Sequence, residues 1–133
     1  MSSPSSERRE RAFALLAQLD PQAPEKVAKN LDELSDDFAE LVLGFAFAYV
    51  VSHPGIDLRT REMLRVAALM AMGNAPGQLE FHIRAALQVG VSRSEIVEIL
   101  LQMAVYAGVP ACMNGISAAR KAFASHGRGD QGS

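Results

Sequence analysis

The sequence predicts an all-α fold, a single-domain bundle of about six helices, and three observations carry that prediction. Apolar residues make up 49% of the 133-residue chain with only 6% aromatic and no Trp, and they are mostly Ala, Leu, Val and Met, which suit helix packing. They recur at i, i+3, i+4 spacing between recognisable caps and breakers. No segment alternates convincingly with period two, so no strand is assigned. At this length one core is expected, burying roughly two thirds of the surface that the unfolded chain exposes.

Residues 1–6 are Ser-rich with one Pro, and residues 127–133 (GRGDQGS) are Gly-rich and polar. Both are expected to be disordered tails around a helical domain of residues 7–126. The Arg-Gly-Asp tripeptide at 128–130 is read as a coincidence of flexible composition. Residues 7–19 carry Phe13, Leu15, Leu16 and Leu19 among charged residues and stop at Asp20-Pro21, where proline restricts the preceding residue. Pro24 fits the first turn of a second helix running to about Leu34. Ser35 reads as the N-cap of a third, with Asp36 and Asp37 complementing its positive end.

That third helix is the most apolar. Phe38, Leu41, Val42, Phe45 and Tyr49 form one helical face, while Leu43, Phe47, Val50 and Val51 fill the other. A helix apolar all round is buried all round, and a domain this small rarely surrounds one of its own helices. The surplus face therefore predicts self-association.

Ser52-His53-Pro54-Gly55 reads as a turn, and Asp57 as the cap of a helix over 58–72 that ends at Gly73-Asn74. Pro76 opens a helix closing at Gly90. Ser92-Arg93-Ser94-Glu95 is a capping box, in which Ser and Glu satisfy two orphan backbone donors, with Ile96, Val97, Ile99, Leu100 and Met103 as the apolar stripe behind it. After Gly108-Val109, Pro110 starts a last helix to about His126.

Several function classes fall away on composition. Lys+Arg 13 against Asp+Glu 15 gives a net charge of −2, so nothing draws the whole surface to nucleic acid or to anionic membrane. The apolar run 41–51 is shorter than the ~20 residues of a spanning helix. The start, MSSPSSERRE, lacks a signal-peptide core, and a cytoplasmic location is expected. Cys112 is the single cysteine, which excludes an intrachain disulfide, a two-cysteine redox centre and a cysteine-rich zinc site. His53, His82 and His126 lack metal-ligand spacing, so no metal is expected. Phosphate loops and nucleophile elbows are absent.

Glu62 lies in a row with Val66, Leu69 and Gly73, a carboxylate on an otherwise apolar face. A desolvated carboxyl is a candidate proton donor or shuttle. The alternative is an acid at the stripe's edge, favourable in a first helical turn or paired with Arg59 or Arg65. His82 shares a row with Gln78, Ala85 and Val89, away from the polar face of Glu80, Arg84 and Gln88. Its imidazole could serve as acid, base or oxyanion donor, or be a core histidine satisfied by a backbone carbonyl. His53, Arg59 and Arg61 cluster at the turn and the next helix start, where they could hold a carboxylate or be ordinary solvated charge. Tyr49 and Tyr106 offer hydroxyls at the ends of apolar helices.

The runs SHPGIDLRTREMLRVAAL and LEFHIRAALQVGVSRSEIVEILLQMAVYAGVPA resemble the carboxymuconolactone decarboxylase family over roughly residues 35–125. The most specific elements are Pro-Gly-x-Asp-x-Arg-Thr-Arg at 54–61, His-x-Arg-Ala-Ala-Leu at 82–87 and Ala-Val-Tyr-Ala-Gly-Val-Pro at 104–110. The resemblance implies an all-α fold of the alkylhydroperoxidase-like type, interleaved between subunits as a homo-oligomer, commonly a trimer or hexamer. In the redox branch a Cys-x-x-Cys precedes a His, with a Glu upstream. Here the cysteine positions are Ala75 and Gln78, so a cysteine-dependent peroxidase is not expected, while Glu62 and His82 stand at the places of that Glu and His.

The decarboxylase branch removes CO2 from an unsaturated lactone acid in aromatic compound catabolism. The resemblance thus implies a carboxy-lyase that needs no cofactor, because the electrons left behind delocalise into the lactone carbonyl. On this basis Arg59 or Arg61 with His53 would hold the anionic substrate, His82 would donate to the oxyanion and Glu62 would return the proton, with Tyr49 lining the pocket. The decarboxylases usually have an Asp shortly before the Ser-x-Pro-Gly turn, where this chain has Ala48-Tyr49. Such a pocket would take a larger or less polar substrate. Two further readings stay open at this point: an isomerase or cyclase of a biosynthetic pathway on the same fold, and a non-catalytic helical oligomer.

Overall fold

The computed structural model describes residues 4–129, and among these every regular element is helical. There are seven helices: α1 (Pro4–Leu19), α2 (Ala23–Leu34), α3 (Asp36–Ala39 continuing without a break through Glu40–Val51), α4 (Leu58–Met72), α5 (Pro76–Gln88), α6 (Arg93–Ala107) and α7 (Val109–Gly129). The first helix begins at Pro4 and the last reaches Gly129, each three residues beyond the expected domain limits. The remainder of the two expected tails, residues 1–3 and 130–133, lies outside the described residues. The chain divides into two compact units, Met1–Leu58 and Arg59–Ser133.

In the first unit α1 packs along α3. Ala12, Leu16 and Leu19, spaced i, i+4, i+7, are the buried stripe of α1,. The helix stops where predicted, and the Asp20 carboxylate accepts a hydrogen bond from the Gln22 N–H at 2.9 Å, forming the turn into α2. Ser35 adopts an extended conformation after α2, and its hydroxyl accepts from the Asp37 N–H at 3.1 Å, as a cap should. Arg9 joins Asp32 across α1 and α2 at 2.8 Å.

From Glu40 onward α3 is wound as a π-helix, closed by i→i+5 hydrogen bonds; the last turn shows the pattern, with the Ser52 N–H donating to the Phe47 carbonyl at 3.0 Å. The wider winding changes which side chains share a face. Leu43, Ala48 and Val51 are buried, whereas Phe38, Leu41, Phe45 and Tyr49 are exposed. Of the two apolar faces that the sequence gives this helix, the one with Phe38, Leu41, Phe45 and Tyr49 is the outer one. Gly44 and Ala48, both small, are among the buried residues of this helix.

The second unit has a continuous core: Val66 and Met70 from α4, Leu79, Ile83 and Ala86 from α5, Ile96 and Leu100 from α6, and Ala118, Ala119 and Ala122 from α7. The helix ends follow the sequence signals. Gly73, Gly90 and Gly108 all have positive φ, between 73° and 99°, the conformation that glycine adopts without penalty. The capping box at α6 is complete, with Glu95 N–H to Ser92 Oγ and Ser92 N–H to Glu95 Oε1 both at 3.0 Å. At Gly115 on α7 a Cβ would sit 2.8 Å from Leu100 Cδ2 and 3.3 Å from Met70 Cγ. A side chain at this position would force Leu100 or Met70 to shift. Of the expected α6 stripe, Ile96 and Leu100 are buried, Ile99 and Met103 pack partly buried against the core, and Val97 is exposed; Leu101 and Val105, which follow Val97 at successive turns, are exposed too.

Candidate active site

Glu62 occupies the second turn of α4, one turn before Val66 and two before Met70, and these three are the buried residues of that helix. The i, i+4, i+8 spacing carries the carboxylate onto the same stripe as the core. Its side chain is fully enclosed, 0% exposed. His82 lies on the inward face of α5 beside Ile83, Ala85 and Ala86 and is 6% exposed. The two side chains meet: His82 Nδ1 is 2.9 Å from Glu62 Oε2. Arg65, one turn along α4, donates from Nη1 to the other carboxylate oxygen, Oε1, at 3.0 Å.

The result is a line of three groups, guanidinium, carboxylate and imidazole. A buried carboxylate is tolerable only when paired and hydrogen-bonded, and Glu62 has one partner on each oxygen. An ionised carboxylate can only accept, so Nδ1 must donate to it, and in the neutral ring that leaves the lone pair on Nε2. The Phe81 ring stands edge-on to the imidazole, with centroids 4.8 Å apart and planes at 85°. With one ring edge held by Glu62, Nε2 is the nitrogen that can exchange a proton or donate to an oxyanion. Glu62 pairs with Arg65, one of the two arginines that the sequence offered as its partner, and it also contacts His82. The backbone carbonyl considered as partner for His82 is replaced by this carboxylate.

Other expected site residues are placed differently. Arg59 makes an ion pair with Glu95, and its Nε donates to the Gly90 carbonyl at 3.4 Å, so its charge serves to tie the start of α4 to the start of α6. The Arg59 guanidinium, with help from the Ser92 N–H, holds the Glu95 carboxyl down to about 2, against an ordinary 4.5,. Arg61 is half-buried on α4. In the first unit, Tyr49 and His53 lie near each other, ring centroids 6.4 Å apart, with Tyr49 66% exposed. Tyr106 is exposed too. Sequence reasoning named Arg65 only as a possible ion-pair partner; its i, i+3 relation to Glu62 was the signal for more.

Among the described residues the second unit holds cavities. One, of about 430 Å³, lies among the end of α4, the start of α5 and α7, with Leu69, Met70, Pro76, Glu80, Asn114 and Lys121 on its walls. Another, of about 560 Å³, is a groove between α4 and α6 lined by Met63, Leu64, Ala67, Ile99 and Met103. Among the described residues no group of three or more His, Cys, Asp or Glu side chains is gathered as a metal site. No described helix is long and apolar enough to cross a membrane. Ala75 caps α5 and Gln78 lies in its first turn, so no thiol stands at either place, and Cys112 is buried elsewhere on α7.

These features define a class: an all-α enzyme with a buried carboxylate–imidazole pair and no cysteine pair. The chain belongs to the carboxymuconolactone decarboxylase family, whose model matches residues 36–121. It is 34% identical over 95 residues to a 4-carboxymuconolactone decarboxylase of Acinetobacter baylyi, covering 71% of this chain and 70% of that protein. It is also 30% identical over 97 residues to a nitrosuccinic acid decarboxylase of Metarhizium robertsii, covering 73% and 67%. An uncharacterised 15.0 kDa protein of Paracoccus denitrificans is 30% identical over 122 residues, covering 90% and 86%.

Proposed function

We propose that this protein is a cofactor-free carboxy-lyase, acting on a carboxymuconolactone-like unsaturated lactone acid or a related keto acid, with His82 as its proton-transfer residue. The observation that carries the reading is the buried Arg65–Glu62–His82 line. The two decarboxylases similar to this chain support it through their names: a lactone acid and a nitro acid each hold a group able to accept the electrons released with CO2.

The reaction asks little of the protein beyond electrostatics and one proton. The bond between the carboxylate carbon and the ring breaks, CO2 leaves, and its electron pair delocalises through the ring double bond onto the lactone carbonyl oxygen. A donor at that oxygen stabilises the dienolate, and protonation at carbon completes the exchange, the proton being replaced from water. His82 Nε2, in its protonated state, is the group suited to donate and then transfer. Glu62 has both oxygens engaged, so in this reading it positions and balances His82 rather than delivering the proton itself. Anion holding falls to Arg61, while Arg59 is committed to Glu95.

Self-association belongs to the same reading. The exposed row Phe38, Leu41, Phe45 and Tyr49 on α3, and the row Val97, Leu101 and Val105 on α6, are more apolar surface than a monomer carries at ease. They supply faces for a homo-oligomer such as a trimer or hexamer.

The test is incubation of the purified protein with 4-carboxymuconolactone, following CO2 release and formation of the enol-lactone. Turnover that His82→Gln abolishes is expected. Absence of turnover, or full activity in that variant, would overturn the proposal.

A further inference from the structure

The cavity of about 430 Å³ at the turn between α4 and α5 has neither Glu62 nor His82 on its walls. Met70, which does line it, is eight positions beyond Glu62 on α4, a distance of ~12 Å at 1.5 Å per residue. Leu69, Met70 and Leu79 give it apolar walls, and α7 contributes Asn114, Ser117 and Lys121. Their i, i+3, i+7 spacing sets these three polar residues on one helical face. All three are exposed, and among the described residues none of their side chains has a hydrogen bond or ion pair within the protein. Glu80 is on the wall as well, but its carboxylate accepts from Arg84 Nη1 at 2.9 Å. Those two charges cancel, and the Lys121 ammonium is the charge left over.

We propose that this cavity is a second ligand site, which binds a small monocarboxylic acid with an apolar body. Lys121 meets the carboxylate, Asn114 and Ser117 supply further donors to its oxygens, and the body lies against Leu69, Met70 and Leu79. A mostly apolar cavity with a few convergent polar groups is the common form of a small-molecule site, and its size is within the ~300–1,000 Å³ range of such sites. Charge decides the class of ligand. An ammonium has three donors and no acceptor, so it repels a cation and gains nothing from a neutral apolar molecule. A phosphate dianion would bring two charges to one ammonium, next to the Glu80 carboxylate. One negative charge on a compact apolar frame is what this wall complements. The inference stands apart from the chemistry at His82, and the decarboxylation assay does not bear on it.

Benzoate is a suitable probe, with benzyl alcohol as its uncharged counterpart, each titrated into the 15N-labelled full chain and followed by 1H–15N NMR. Saturable shifts of the Gly73 and Gly77 amides and of the Asn114 side-chain amide are expected with benzoate, with a Kd on the order of 1 mM, as suits so small a ligand. Benzyl alcohol should bind at least ~3-fold more weakly, and Lys121→Met should bring benzoate down to the same level. Ser117→Phe, which sets a ring on the cavity wall, should abolish the shifts. Both substitutions fall at exposed positions, and circular dichroism checks that helicity is kept. If either variant fails that check, the comparison of the two probes on the wild-type chain still decides the matter. The proposal is overturned by any of three results: no saturable shift up to ~20 mM benzoate, shifts centred on Phe81 and His82 in place of Gly73, Gly77 and Asn114, or equal affinities for benzoate and benzyl alcohol.

Discussion

Replacing Glu62 by glutamine is the most informative single perturbation of the fold and the site together. The carboxylate accepts from His82 at 2.9 Å and from Arg65 at 3.0 Å, and it is fully enclosed. A hydrogen bond involving a charged group contributes ~1.5–3 kcal/mol net, so the two contribute ~3–6 kcal/mol, in line with the ~3–5 kcal/mol lost when one partner of a buried pair is removed. The amide keeps the shape and about one neutral bond of ~1 kcal/mol. The expected loss for Glu62→Gln is therefore ~2–4 kcal/mol. Urea unfolding followed by circular dichroism, at one fixed protomer concentration, measures it. The Glu62→Gln/Arg65→Gln double variant should fall short of additivity by ~0.5–3 kcal/mol, since both changes remove the same ion pair. A loss below ~0.5 kcal/mol in the single variant would refute the claim that this line of groups is buried and satisfied.

Other consequences are simpler to check. Glu95 has its carboxyl held at about 2 in the folded chain against 4.5 ordinarily, so its contribution to stability is complete above pH ~4.5 and is lost as pH falls from there through ~2; Glu95→Gln should flatten the acid-unfolding profile in that window, and an unaltered slope would contradict the Arg59 pairing. Ser92→Ala removes the N-cap acceptor of α6 and should cost ~0.5–2 kcal/mol in the same urea assay. Gly115→Ala places a methyl against Leu100 and Met70 and should cost ~1–3 kcal/mol, with no loss expected if α7 is farther from α6 than described. Phe45→Asp, on the outer face of α3, should reduce the assembled mass in light scattering while leaving helicity intact; unchanged mass would count against that face as an interface.

How much of this was legible in the sequence varies with the physics involved. Helix limits at Asp20-Pro21, Ser35, Gly73, Gly90 and the Ser92–Glu95 box were readable because capping and positive φ are local demands met by a few residue types. The burial of Glu62 and His82 was readable because helical periodicity placed each on an apolar row. Their contact was not, since it depends on how α4 and α5 lie against each other. Arg59 shows the same limit: its neighbourhood suggested an anion site, but its partner Glu95 is 36 positions away. The faces of α3 were legible only as far as their apolar content. Spacing arguments assume an α-helical turn, and a π-wound segment presents another set of residues to its neighbours, so which of the two apolar faces packs inward was not readable; Phe45 and Tyr49 are on the exposed one.

The location of Glu62, Arg65 and His82 within one αα-hairpin has a consequence for how this chain can change over time. Only 20 positions separate the carboxylate from the imidazole, so the entropy of bringing them together is roughly 2.7 kcal/mol plus a constant, a small demand next to that of a site drawn from distant segments. The hairpin is thus close to self-sufficient as a chemical unit. Residues elsewhere on the chain can be exchanged without disturbing the Arg65–Glu62–His82 line. Divergence toward new acids would then leave α4 and α5 as the inherited part, and the walls around them as the part that is rewritten.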